Sequence, residues 1–232
     1  MKLLALDTSS EGCSAALLLD GEISERFEIA PRGHTRLLMP MVRELLAEKS
    51  LEPKDLDALA FACGPGSFTG IRIATGVVQG LAWGLDVPVV PVSSLAAVAL
   101  GAMESMDLQG DGAVAVAFDA RMGEVYWGCF SRRDGLPVLL GEERVCPPAL
   151  VALEGDFGHW VGAGQGWRLR DDMPAEVLAR VASVDDTLVP RAAWVARLAE
   201  TGYREGQAVP ADQAQPVYIR DEVAWKKLPG RE

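Results

Sequence analysis

"ACGPGSFTGIRIAT" (Ala62–Thr75) joins two apolar stretches through Gly64, Pro65, Gly66, Ser67 and Gly70. Loops of this composition between a strand and a helix are common phosphate sites, because amides at a helix N-terminus favour an anion. The stretch departs from both standard phosphate signatures. After Gly70 come Ile71 and Arg72, so the lysine of G-x-x-x-x-G-K-[ST] is missing, and Phe68 adds bulk where bare amides would wrap a phosphate. Gly64, Gly66 and Gly70 do not give G-x-G-x-x-G, and no acidic residue follows at a ribose-binding distance. Two readings stay open: the amides hold an anion with help from Arg72, or Pro65 and the glycines shape a tight strand-to-helix turn.

The chain around this stretch sets the fold class. Upstream, Leu56–Cys63 is an apolar run that predicts a strand; downstream, Ser67 is placed to cap a helix over Phe68–Leu85. That helix carries Gly70, Ala74, Gly76, Gly80 and Gly84. Glycine costs about 1 kcal/mol in a helix interior, so close packing against another helix, in this chain or across an interface, is expected to compensate. The small residues, Ala74 and Gly80 among them, therefore mark a contact surface.

Further upstream, "KLLALDTS", "CSAALLLDG" and "EISERFEIA" read as three strands, with Asp20-Gly21 a strong hairpin signal. In "HTRLLMPMVRELLAEKS" apolar residues recur three and four apart, which predicts a helix from His34, with Pro40 early enough to be tolerated. "VPVVPVS" is a short strand and "SSLAAVALGAM" a helix capped by Ser93 or Ser94. The order β-β-β-α-β-α-β-α describes an α/β layer whose sheet mixes an antiparallel hairpin with parallel crossover strands. A polar stretch, Glu104–Gly112, marks a domain edge, and division at residue 108 is expected: 1–108 and 109–232. The pattern then restarts with "AVAVAFDA", a turn at Gly123 and "EVYWGCF", with Tyr126 and Trp127 on opposite faces, which points to a duplicated architecture. Helices are expected at Ala175–Val181 and Pro190–Ala199, Pro190 in a first turn, and "AWKKLPGRE" as a frayed tail.

Composition narrows the function. The net charge of −11 opposes autonomous binding to nucleic acid or anionic membrane, although not action on nucleic acid through a basic partner. No apolar run is long enough to span a membrane, and no basic leader precedes "KLLALDTSS", so a soluble cytoplasmic chain in a reducing compartment is expected. Cys13, Cys63, Cys129 and Cys146 form no C-x-x-C pair, and Cys13 and Cys63, lying in apolar strand-like runs, read as buried free thiols and not as disulfides.

Chemistry-bearing candidates are sparse. Asp7-Thr8-Ser9-Ser10 ends the first strand, where a carboxylate with hydroxyls can hold a metal-bound phosphate or be satisfied by turn amides. His34 and His159 are far apart; His34 fits an interface or helix-capping role better than a metal ligand. Cys63 has no histidine near it in sequence, and Ser67 is not in G-x-S-x-G. Asp119 and Arg121 are placed to pair across a turn, and "GAGQGW" (Gly162–Trp167) is a further glycine loop at a strand end. No catalytic, cofactor-binding or metal-binding residue is assigned.

"LALDTSS", "H-T-R-x-L-x-P" from His34 to Pro40, "GPGSFTGIRI" from Gly64 to Ile73 and "DARMGEVYW" from Asp119 to Trp127 together resemble the TsaB (YeaZ) family of bacterial tRNA threonylcarbamoyladenosine biosynthesis proteins. The resemblance covers nearly the whole chain. It implies a two-domain actin/Hsp70-like (ribonuclease H-like) α/β fold with duplicated mixed-sheet cores. It also implies a non-catalytic subunit, not an enzyme and without a cofactor, that activates and stabilises TsaD together with the ATPase TsaE in modifying adenosine 37 of tRNAs reading ANN codons. The helices 34–48 and 68–85 would then pair with TsaD or with a second copy in a homodimer, and tRNA would be held only through the complex, with no membrane partner. TsaD's H-x-x-x-H has no counterpart, since His34 is followed by Thr35, Arg36, Leu37 and Leu38. Asp119 is followed by Ala120-Arg121 where an actin-like ATPase has D-x-G. The competing readings are a nucleotide-dependent kinase or hydrolase using Asp7 and the glycine loops, or a peptidase as the family's older label has it.

Overall fold

A computed structural model describes residues 1–106, 108 and 110–219. Two five-stranded mixed sheets carry the chain. In the first, β1 (Lys2–Asp7), β2 (Gly12–Leu19) and β3 (Glu22–Ile29) run antiparallel in succession, and β4 (Ala58–Gly64) and β5 (Val89–Ser93) extend it parallel to β1. The order is β3-β2-β1-β4-β5. In the second, β6 (Ala113–Asp119), β7 (Val125–Arg133) and β8 (Leu136–Cys146) are antiparallel, and β9 (Trp160–Ala163) and β10 (Val181–Asp185) run parallel to β6. Read from its other edge, that sheet is β8-β7-β6-β9-β10, the same succession of senses.

The duplication reaches the turns. Asp20-Gly21 joins β2 to β3 and Asp134-Gly135 joins β7 to β8, all four residues at positive φ. Such a turn matches the right-handed twist of its strands, which is why Asp-Gly recurs there.

Strand alternation splits the first sheet into two faces. Leu4, Leu6, Leu59 and Phe61 meet α1 (His34–Glu48) and α2 (Phe68–Leu85) on one side. Leu3, Ala5, Ala58, Ala60 and Ala62 meet α5 (Ala192–Arg204) on the other. α2 has the bounds its pattern predicts, and the Ser67 hydroxyl accepts from the Gly70 amide at its N-cap. Pro40 lies within the unbroken α1, on its exposed side. α3 (Ser94–Ser105), capped by Ser93, is wedged between the sheets: Leu95, Val98, Ala99 and Ala102 join Val114, Val116, Phe130 and Val161 of the second. The far face of that sheet buries Trp127, Trp160 and Trp167 with Val177 of α4 (Ala175–Arg180).

The expected 109–232 unit needs amending. After β10 the chain returns to the first sheet, where the buried Ser14 hydroxyl accepts from the Ala192 amide at 2.8 Å and Glu25 from the Ala193 amide at 2.9 Å. These contacts cap α5 from β2 and β3, and they start it at Ala192, after Pro190 and not in its first turn. The "AWKKLPGRE" tail lies outside the described residues. Among the described residues no helix is long and apolar enough to cross a membrane.

Candidate functional site

The glycine stretch Gly64–Gly70 interlocks with the loop that follows β1. The Ser67 amide donates to the Ser9 carbonyl at 2.7 Å, and the Thr8 hydroxyl to the Gly70 carbonyl at 2.6 Å. A Cβ at Gly66 would sit 2.3 Å from the Ser9 carbonyl oxygen, and one at Gly70 1.9 Å from that of Thr8. Only backbone fits there, so the glycines serve close approach of two main chains. Arg72 is turned elsewhere: its guanidinium lies 3.5 Å from the Phe68 ring centroid and its Nε donates to the Tyr218 hydroxyl at 2.8 Å. Of the two readings of this loop, the geometry favours the structural turn.

Asp7 is fully buried beneath that contact. Its Oδ1 accepts from the Ser9 amide at 3.0 Å and the Ser9 hydroxyl at 2.6 Å, while Oδ2 has no hydrogen-bond partner among the described residues. Burial raises the carboxyl to about 6, against the pull of the Ser9 hydrogen bonds. His34 staples α1 to the same loop. Its Nε2 lies 2.9 Å from the Ser10 carbonyl and 3.2 Å from that of Gly12; both are acceptors, so Nε2 carries the proton. Being buried, His34 clamps the N-terminus of α1, which fits the helix-capping role expected of it. The Cys63 thiol is pushed up to about 12, first by burial and then by the Glu143 carboxylate, the opposite of an activated nucleophile. All four cysteines are free and buried.

The corresponding loop of the second sheet is exposed. Asp119 Oδ1 accepts from the Arg121 amide at 2.7 Å, and the two side chains form the expected ion pair at 3.6 Å. Arg121, Met122 and Gly123 all take positive φ, and Arg121 and Met122 project into solvent. Tyr126 and Trp127 face opposite cores, as alternation requires. The Gly162–Trp167 loop packs on β6, with the Trp167 indole donating to the Ala115 carbonyl at 2.9 Å. Gln165 reaches across to Glu11 at 2.6 Å, a contact between the two halves. Among the described residues no group of three or more His, Cys, Asp or Glu is placed to hold a metal.

What remains open is the outer surface of α2. At Gly76, Gly80 and Gly84 a Cβ would meet nothing within 4 Å. Beside them Trp83 is 77% exposed and Ile73, Val77, Leu81 and Leu85 are half-buried. Arg36, Pro40, Arg43 and Ala47 of α1 are exposed on the neighbouring helix. The compensation expected for Gly76, Gly80 and Gly84 is therefore not supplied among the described residues, whereas Gly70 is matched by its close approach to the Thr8 carbonyl. Ala74 is a correction: it is buried against the first sheet, on the opposite side of α2 from Gly80. Sequence reasoning missed a strap over the inner edge of α2. There the Val217 amide donates to the Cys63 carbonyl and Gln79 to the Ala214 carbonyl, both at 2.8 Å. No local pattern in Ala214–Tyr218 signals it; the nearest clue is Gly64, whose Cβ would lie 2.7 Å from the Val217 carbonyl oxygen.

Comparison with known proteins fits this architecture. The family model described as "TsaD: tRNA N6-adenosine threonylcarbamoyltransferase" matches residues 27–145. The chain is 42% identical over 236 residues to the tRNA threonylcarbamoyladenosine biosynthesis protein TsaB of Escherichia coli, covering 100% of both. It is 41% identical over 245 residues to TsaB of Haemophilus influenzae, covering 100% of this chain and 99% of that one. The solved structure of YeaZ from Pseudomonas aeruginosa superposes with a TM-score of 0.88 at 47% identity, over 94% of this chain and 99% of that one.

Proposed function

The chain belongs to the TsaB family, related to TsaD and built on the duplicated actin/Hsp70-like fold, and on that premise we propose that it is the subunit whose α1–α2 face binds and activates TsaD. It acts in the tRNA threonylcarbamoyladenosine pathway, at adenosine 37, as a non-catalytic member. It lacks both the H-x-x-x-H pair after His34 and the D-x-G after Asp119. TsaE completes the assembly in the cytoplasm, and the tRNA is held through the complex, which suits a chain of charge −11.

The observation that carries the proposal is the outer face of α2. Three helix glycines facing open space are a net cost to an isolated chain, and the same glycines let a second helix approach closely. The test is modification of a cognate tRNA by TsaD and TsaE, supplied with ATP and the threonylcarbamoyl-adenylate donor, with and without this chain. Turnover is expected only with the chain present, and none from the chain alone. Turnover indifferent to it would overturn the activating role. Gly80→Leu, which adds bulk to open space and leaves the fold intact, is expected to abolish both TsaD binding and turnover.

A further inference from the structure

We infer that a cavity at the C-terminal end of α2 seats a cationic side chain, arginine or lysine, of the TsaD partner. The cavity has a volume of about 470 Å³ and is lined by Trp83, Asp86, Val87, Pro88, Val209 and Asp212 among others. This seat presupposes the TsaD reading of the α1–α2 face, because Trp83 stands one turn beyond Gly80 on that face.

Its electrostatics are one-sided. The C-terminus of a helix is the negative end of its dipole and is ordinarily matched by a cation. The last turn of α2 has no basic residue and ends on Asp86, held at φ 57° with its amide donating to the Ala82 carbonyl. Asp212 adds a second exposed carboxylate, and among the described residues neither aspartate has an ion-pair partner. Trp83 offers the best aromatic face for a cation. The half-buried Val87, Pro88 and Val209 give an apolar floor for an aliphatic stem, as long basic side chains require. The seat is also preformed: Val89 and Val209 exchange two backbone hydrogen bonds at 2.8 Å, fixing its far wall.

The test is calorimetric titration of TsaD from the same organism into the chain at about 50 and about 300 mM salt. Asp86→Asn with Asp212→Asn is expected to weaken binding about tenfold at low salt and flatten its salt dependence; Trp83→Ala is expected to weaken it about as much, with Trp83→Phe restoring part of the loss. Asparagine tolerates positive φ, so the double variant should melt like the parent chain. Gly80→Leu is the control for the face itself. If it abolishes binding while the double variant keeps the parental affinity and salt slope, the face stands and the cationic seat is overturned. If Gly80→Leu leaves binding intact, the helix-face reading falls and the seat, which rests on it, falls with it even where the double variant weakens binding. If neither changes binding, both fall. If the charge effects appear only in self-association of the chain, the cation belongs to a second copy and the assignment to TsaD is overturned.

Discussion

The loops after β1 and after β6 occupy the same place in the two halves and have opposite fates. Asp7 is sealed; Asp119 is exposed beside a solvent-facing arginine. The difference lies in where the facing glycine loop lands. In the first half Gly66 and Gly70 press on the carbonyls of Ser9 and Thr8, beyond the end of β1, and cover the loop. In the second half Gly164 and Gly166 press on Ala117 and Phe118, before the end of β6, and stop short of Asp119. A shift of a few residues along one strand thus separates a buried carboxylate from a displayed turn.

The strongest way to break the contrast is to force the sealed loop open. Gly70→Ala puts a Cβ 1.9 Å from a backbone oxygen and is expected to cost about 4 kcal/mol or more in urea unfolding. Gly123→Ala, at φ 76° but with nothing within 4 Å, should cost about 1 kcal/mol.

Next comes the carboxylate itself. Asp7 has a folded pKa of about 6 against 3.8 in a free chain, so the unfolded state ionises first and stability falls as pH rises between those values. Asp7→Asn keeps the acceptor for Ser9 and removes the buried charge. It is expected to stabilise the chain by about 2 kcal/mol at pH 7.5, a gain that disappears below about pH 4. A gain that persisted at low pH would refute the charge as its cause. Asp119→Asn is expected to change stability by less than about 0.5 kcal/mol at any pH, its turn being exposed. Between these effects lies Ser14→Ala, which leaves the buried Ala192 amide unsatisfied and should cost about 1 to 2 kcal/mol.

The parts of this fold legible in sequence are those decided locally. Ser67 and the apolar spacing set both ends of α2, and Asp-Gly marks the β2–β3 hairpin, because capping and turn chemistry act within a few residues. Three features were out of reach, each for its own reason. The return of α5 to the first sheet depends on Ser14 and Glu25, more than 160 residues away in sequence. The strand β10 is short and half-exposed, with no clean alternation of burial. The placing of Ala74 inside and Gly80 outside needs the helix's rotation about its axis, which Ile71, Ala74, Val78 and Ala82 fix by burial; counting small residues alone did not reveal it. At the candidate face the glycines were readable, whereas the exposed Trp83 and its flanking carboxylates became meaningful only beside Val209 and Asp212, brought there by the chain's last described stretch.

That α5 covers a face of the first sheet has a consequence for synthesis. The sheet is complete in sequence by Ser93, yet Leu3, Ala5, Ala60 and Ala62 lack the cover of α5 until Arg204 has been made. At roughly 5–20 residues per second, that interval lasts on the order of 5 to 20 seconds, during which an apolar sheet surface is bare on the ribosome. The early half of this protein is thus completed by the late one, and a nascent chain stalled before α5 presents an apolar sheet face that the folded chain covers.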